Sequence, residues 1–102
     1  MKFANLIGYS DITPYEVVKI ISDKTIVIRE MKADRDPSFK PEFDIGGFSA
    51  HCTNQSDQKW IISSVETLHT VRARLQKNGK WKSIYGEHRI SNEPKCFYDY
   101  NF

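Results

Sequence analysis

A chain of 102 residues is long enough for one domain with a modest core and too short for two. Its 15 Lys and Arg against 13 Asp and Glu leave a net charge of +2, which excludes the broad basic field that holds long duplex DNA but leaves local basic clusters open. No window approaches the roughly 20 apolar residues of a membrane span, and the opening MKFANLIGYSD lacks a signal-peptide pattern, so a soluble, cytoplasmic protein is expected.

The first strong elements are Tyr15 to Ser22 (YEVVKIIS) and Thr25 to Met31 (TIVIREM). Both are rich in β-branched residues, and the polar pair Asp23-Lys24 between them predicts a hairpin. In the second strand Ile26 and Ile28 share the core face, while Val27, Arg29 and Met31 share a partly wet one. From Lys32 to Gln58 the punctuation of Asp36-Pro37, Lys40-Pro41 and Gly46-Gly47 predicts a long loop excursion, anchored by Phe39, Phe43 and Phe48. Its end, GGFSAHCTNQSDQKW from Gly46 to Trp60, is read as irregular, and long loops on a compact scaffold are where binding chemistry concentrates.

Lys59 to Ser64 (KWIISS) predicts a further strand. Val71, Ala73 and Leu75 then alternate with Arg72, Arg74 and Gln76, Asn78-Gly79 predicts a type I′ turn, and Trp81 begins the return strand. Cys96 to Tyr100 (CFYDY) reads as a terminal strand closing the domain, with Tyr98, Tyr100 and Phe102 on its buried face; the alternative places Tyr98 or Tyr100 in a subunit interface of a homo-oligomer. Strands and no helix predict an all-β fold, a single small five- to six-stranded SH3-like barrel spanning residues 1–102.

Cys52 and Cys96 form no CxxC pair and are read as reduced thiols; His51, Cys52 and Cys96 are the one conceivable zinc set, and no metal or cofactor is expected. Catalytic signatures such as G-x-S-x-G, a P-loop or H-E-x-x-H are missing from the sequence, and Glu30, Asp34 and Asp36 read as ordinary loop charges. A non-enzymatic binding protein is the resulting expectation.

Tyr9-Ser10-Asp11, the hairpin YEVVKIISDKTIVIREMKA, the block GGFSAHCTNQSDQKW, the segment RARLQKNGKW and the final FYDYNF together resemble a group of small phage- and prophage-encoded proteins of unassigned function, over most of the chain. Where that group has a short Pro/Gly turn after the Trp60 strand, this chain carries Val65-Glu66-Thr67-Leu68-His69-Thr70. The resemblance implies a phage setting, in which small accessory proteins act as inhibitors that cap a host protein or sequester a nucleotide signal of host defence.

Residue types are consistent with a nucleotide-type ligand. Tyr9, Trp60 and Trp81 can stack a base for about 1–3 kcal/mol each, with Tyr98 and Tyr100 as further aromatic faces. Arg72 and Arg74, joined by Arg29 if the strands align, can grip phosphate, and Asn54, Gln55 and Gln58 can read polar base edges. Each has an ordinary reading beside it: a strand Trp is more often core, loop amides more often satisfy turns, and Arg72 and Arg74 face away from Val71, Ala73 and Leu75 as a solvated outer face would. The same residues suit a single-stranded oligonucleotide, and the aromatic C-terminal run suits a protein partner.

Overall fold

The computed structural model describes residues 2–46, 49–52 and 54–99. In chain order its strands are β1 (Phe3–Ile7), β2 (Ile12–Thr13), β3 (Tyr15–Ser22), β4 (Thr25–Glu30), β5 (Lys32–Arg35), β6 (Phe43–Gly46), β7 (Ser49–Cys52), β8 (Trp60–Ser63), β9 (Thr70–Leu75), β10 (Trp81–Ser83) and β11 (Gly86–Ser91), with a 3-10 turn at Gln55–Asp57. The fold is all-β. Strands β11, β10, β9, β4, β3 and β1 follow one another in an antiparallel sheet, and β1 pairs with β11 over Phe3↔Ser91 to Ile7↔Glu87, closing a small SH3-like barrel with β2 as an extra strand. Among the described residues no helix is long and apolar enough to cross a membrane.

Alternation dictates which side chains fill the barrel. Ile26 and Ile28 of β4 point inward as their spacing predicts and meet Ala73 of β9, Ala4 of β1, Tyr15 of β3 and Trp81 of β10, with Leu6, Val17, Val71, Leu75 and Ile90 packed around them. A six-stranded lumen is narrow, and two alanines opposite two isoleucines and an indole let it fill without strain. Trp81 is therefore core, with 8% of its surface exposed, and its ring face is not available to stack a base.

The Asp23-Lys24 hairpin forms as expected, with Ser22 opposite Thr25. The turn after β9 differs from the type I′ expectation. Only Gly79 has a positive φ, +81°, while Asn78 stays in the ordinary region. The Gly79 N–H donates to the Gln76 carbonyl at 3.0 Å and the Gln76 N–H to the Lys80 carbonyl at 2.8 Å, making a three-residue loop with the glycine in its left-handed place. Asn78 instead spends its side-chain oxygen on the Lys80 N–H at 3.0 Å, which needs no positive φ.

The excursion is not an irregular loop. β5 pairs with β8 over Lys32↔Ser63 to Arg35↔Trp60, and β6 pairs with β7 over Phe43↔Cys52 to Gly46↔Ser49. Together with the β4–β9 pairing these are nested hairpins, so residues 31–69 form an arm, and the molecule measures 51 × 29 × 21 Å. Four-residue strands such as KADR carry too little alternation to be seen alone; a partner far along the chain decides them. Met31, expected on the wet face, is buried where the arm leaves the barrel, its N–H bonded to the Pro14 carbonyl. Phe39 is buried as an anchor, Phe43 opens β6, and Phe48 lies outside the described residues.

The C-terminal run does not close the barrel. It contributes one bridge, Ile12↔Phe97, while β1 and β11 make the closure; Tyr98 is 52% exposed, and Tyr100 and Phe102 lie outside the described residues. The tail is held from below by Asn5, only 2% exposed, whose amide donates to the Glu93 carbonyl at 3.1 Å and accepts from the Lys95 N–H at 2.9 Å.

Candidate functional site

One end of the barrel is open where β3 begins, β4 and β1 end and β9 starts. Leu6, Tyr15, Glu30, Leu68, His69, Val71 and Tyr85 line a cavity of about 290 Å³ there, mostly apolar, with Glu30 as its one carboxylate. Tyr15 is held by its neighbours: its ring meets His88 edge-on at 5.1 Å and Tyr85 at 6.3 Å between centroids. Burial, reinforced by the Glu30 carboxylate that its hydroxyl faces, pushes the Tyr15 phenol up to about 12. That phenol therefore stays protonated beside Glu30, its cross-strand partner.

Tyr85 sits in the two-residue turn between β10 and β11, and buried chemistry holds it. His88, 2% exposed, gives its Nδ1–H to the Ala4 carbonyl at 2.8 Å, since a carbonyl can only accept. Its Nε2 then accepts from the Ser83 hydroxyl at 2.7 Å, and the Ser83 oxygen accepts the Tyr85 N–H at 3.1 Å. Burial lowers the His88 pKa, with the Ala4 carbonyl opposing it, so the neutral ring is favoured. The Tyr85 hydroxyl hydrogen-bonds His69 Nε2 at 2.9 Å, tying the turn to the segment before β9.

A second depression, about 550 Å³, lies on the outer face of β9 and β10 and is lined by Val71, Arg72, Arg74, Gln76, Lys82, Ser83 and Ile84. Cross-strand pairing builds it, because Lys82 stands opposite Arg74 and both point outward while Ala73 and Trp81 point in. Among the described residues Arg72, Arg74 and Lys82 enter no ion pair. The two depressions share Val71 and flank the Ser83–Tyr85 turn.

Arg29 does not join this cluster. Its Nε donates to Glu16 at 3.0 Å, and the Ser64 hydroxyl also donates to that carboxylate. Burial works to raise the Glu16 carboxyl, but Ser64 and Arg29 together outweigh it and hold the group below its usual range.

The remaining sequence candidates disperse. Asn54 accepts the Glu42 N–H at 2.8 Å and the Cys52 thiol at 3.5 Å and donates to the Lys40 carbonyl at 2.9 Å, so it pins the arm. Gln58 receives the Trp60 indole N–H at 3.0 Å and the Tyr98 N–H at 2.9 Å and donates to the Tyr98 carbonyl, clamping the tail. Gln55 lies in the 3-10 turn, and Tyr9, 94% exposed, lies between β1 and β2. Of the predicted set Arg72 and Arg74 meet in this cationic depression, while Gln58 and Trp60 line a separate, shallow one of about 330 Å³ beside Cys96 and Phe97. Glu30, Tyr15, His69, Tyr85 and Lys82 carried no motif. The available hint was position: Glu30 ends a strong strand, and Tyr85 stands one residue before Gly86 at φ +137° in a turn.

Neither Cys52 nor Cys96 forms a disulfide, and burial, then the Asp11 carboxylate, raises the Cys96 thiol to about 11. Among the described residues no three His, Cys, Asp or Glu side chains converge on a metal-sized site. Comparison with family models, curated proteins and solved structures finds no match.

Proposed function

We propose that the protein is a non-enzymatic binding protein that sequesters a nucleotide-type ligand, with its base in the barrel mouth and its phosphates on Arg72, Arg74 and Lys82. The carrying observation is the adjacency of an aromatic, largely apolar mouth and a cationic groove across Val71. Tyr85, half exposed, offers a ring face for stacking worth about 1–3 kcal/mol, and a planar guanidinium fork suits phosphate oxygens. A mouth of this volume holds a base rather than a whole nucleotide, and the phosphates must then lie outside it, where the arginines are. Binding without turnover fits thiols that are buried or raised by burial. With the resemblance to phage-encoded proteins, the role is withholding a nucleotide signal of host defence in the host cytoplasm.

The test is native mass spectrometry of gently purified protein, followed by calorimetric titration with nucleosides and their 5′-phosphates. Arg72→Ala/Arg74→Ala is expected to weaken the phosphorylated ligands at least tenfold and leave the nucleosides unchanged. Equal loss for both, or binding that falls with salt as steeply as an oligonucleotide's, refutes a single nucleotide as the ligand.

A second reading, inhibition by protein contact, is favoured by β3. Its edge from Val18 to Ser22 has no strand partner on the β1 side among the described residues, and Val18, Ile20 and Ile21 are exposed there. Two register breaks, Val17/Lys19 and Ile20/Ser22, blunt that edge as an open template. If Ile20→Lys abolished inhibition in a host-defence assay while nucleotide binding persisted, this reading would replace the first.

A further inference from the structure

We propose that the mouth is selective for guanine, with the Glu30 carboxylate reading its Watson–Crick edge; this rests on the nucleotide reading above. Glu30 is the only formally charged lining residue, and among the described residues it enters no ion pair. An ionised carboxylate accepts and never donates. Tyr15, protonated and immobilised in the core, stands opposite Glu30 across the β3–β4 pair, which places the carboxylate at the mouth with lone pairs left for a ligand.

Base edges divide sharply before such a group. Guanine presents N1–H and the N2 amino group side by side, two donors matching the two oxygens of one carboxylate. Adenine sets an acceptor, N1, beside its amino group, and cytosine and uracil each place an acceptor in the same edge, so a fixed oxygen meets a lone pair. Hypoxanthine keeps N1–H and lacks the amino group, which makes it the probe for the second bond. Glu30 is exposed at the rim of the mouth, and charge-assisted bonds to it are the stronger kind, whereas an edge that sets an acceptor against it forfeits the bond and meets repulsion. The Tyr85 and His69 side chains, joined by their hydrogen bond, would hold the base in place while its edge meets Glu30.

The experiment is calorimetric titration of the full chain with GMP, IMP and AMP at one salt concentration, repeated on Glu30→Gln after circular dichroism has shown it folded. The expected order is GMP tighter than IMP by about tenfold, the loss of one charge-assisted hydrogen bond, and AMP weaker still. Glu30→Gln, which replaces an acceptor oxygen with a donor, is expected to erase the GMP preference. AMP binding as tightly as GMP overturns the guanine assignment and leaves nucleotide binding standing. A Glu30→Gln protein that keeps the preference overturns the role of Glu30, and failure of every nucleotide to bind the parent protein overturns both readings. The parent panel decides selectivity even if the variant does not fold.

Discussion

Asn54→Ala should loosen the arm and leave the barrel intact. The side chain makes three bonds, from the Glu42 N–H, from the Cys52 thiol and to the Lys40 carbonyl, all within residues 31–69. The barrel core of Ala4, Tyr15, Ile26, Ile28, Ala73 and Trp81 contains no arm residue. A neutral hydrogen bond is worth about 0.5–1.5 kcal/mol net, and Lys40 and Glu42 are exposed enough for water to replace the lost partner, so the low end applies. The thiol bond is weak, which leaves a total of about 1–2 kcal/mol, a factor of about 5–30 in the opening equilibrium. Native-state hydrogen exchange reads this directly, because local opening and global unfolding expose different amides. Amides of β6 and β7 should exchange faster by that factor, those of β4 and β9 unchanged, and Asn54→Asp, which keeps the acceptor and loses the donor to Lys40, should fall between. Equal acceleration in arm and barrel would refute the separation of the two, and no acceleration would refute the pinning role.

Arg29→Ala strands the Glu16 carboxylate with Ser64 alone and should cost about 1–3 kcal/mol in urea denaturation, while Glu16→Ala/Arg29→Ala costs less than the sum of the single changes; strict additivity would disprove the coupling. Gly79→Ala should cost about 1 kcal/mol from its φ of +81° alone, because no atom lies within 4 Å of the added methyl, and Gly79→Asn should cost less; a neutral alanine would mean the turn relaxes to another form. His88 titrates lower in the folded protein than its ordinary 6.5, so as pH falls below about 6.5 the unfolded chain takes up the proton first and stability declines. Glu16 and Asp36, both held below their usual ranges, add their own loss only under about pH 4.5, so the melting temperature between pH 6.5 and 5 isolates the histidine. A His88→Gln protein should lack that limb, and an identical slope in both proteins would assign it elsewhere.

Sequence periodicity determined the parts that bury apolar side chains alternately. YEVVKIIS and TIVIRE are strands wherever they are placed, since Ile26 and Ile28 must leave water together, and their hairpin and the Val71, Ala73, Leu75 face follow from local pattern alone. Composition also carries the all-β character and the barrel. Tertiary structure alone decided the closure, because β1 and β11 bury Asn5 and His88, polar residues whose partners, Glu93, Lys95, Ala4 and Ser83, are not all neighbours in sequence. It likewise decided the arm, where short strands have no pattern until paired, and it separated the amides from the arginines. Asn54 and Gln58 have the chemistry to read a base, but the nearest unsatisfied backbone groups claim them first. The candidate site became visible only when closure brought Glu30, Tyr15, His69 and Tyr85 from separate elements to one barrel end, since a cavity is a property of packing that no local spacing encodes.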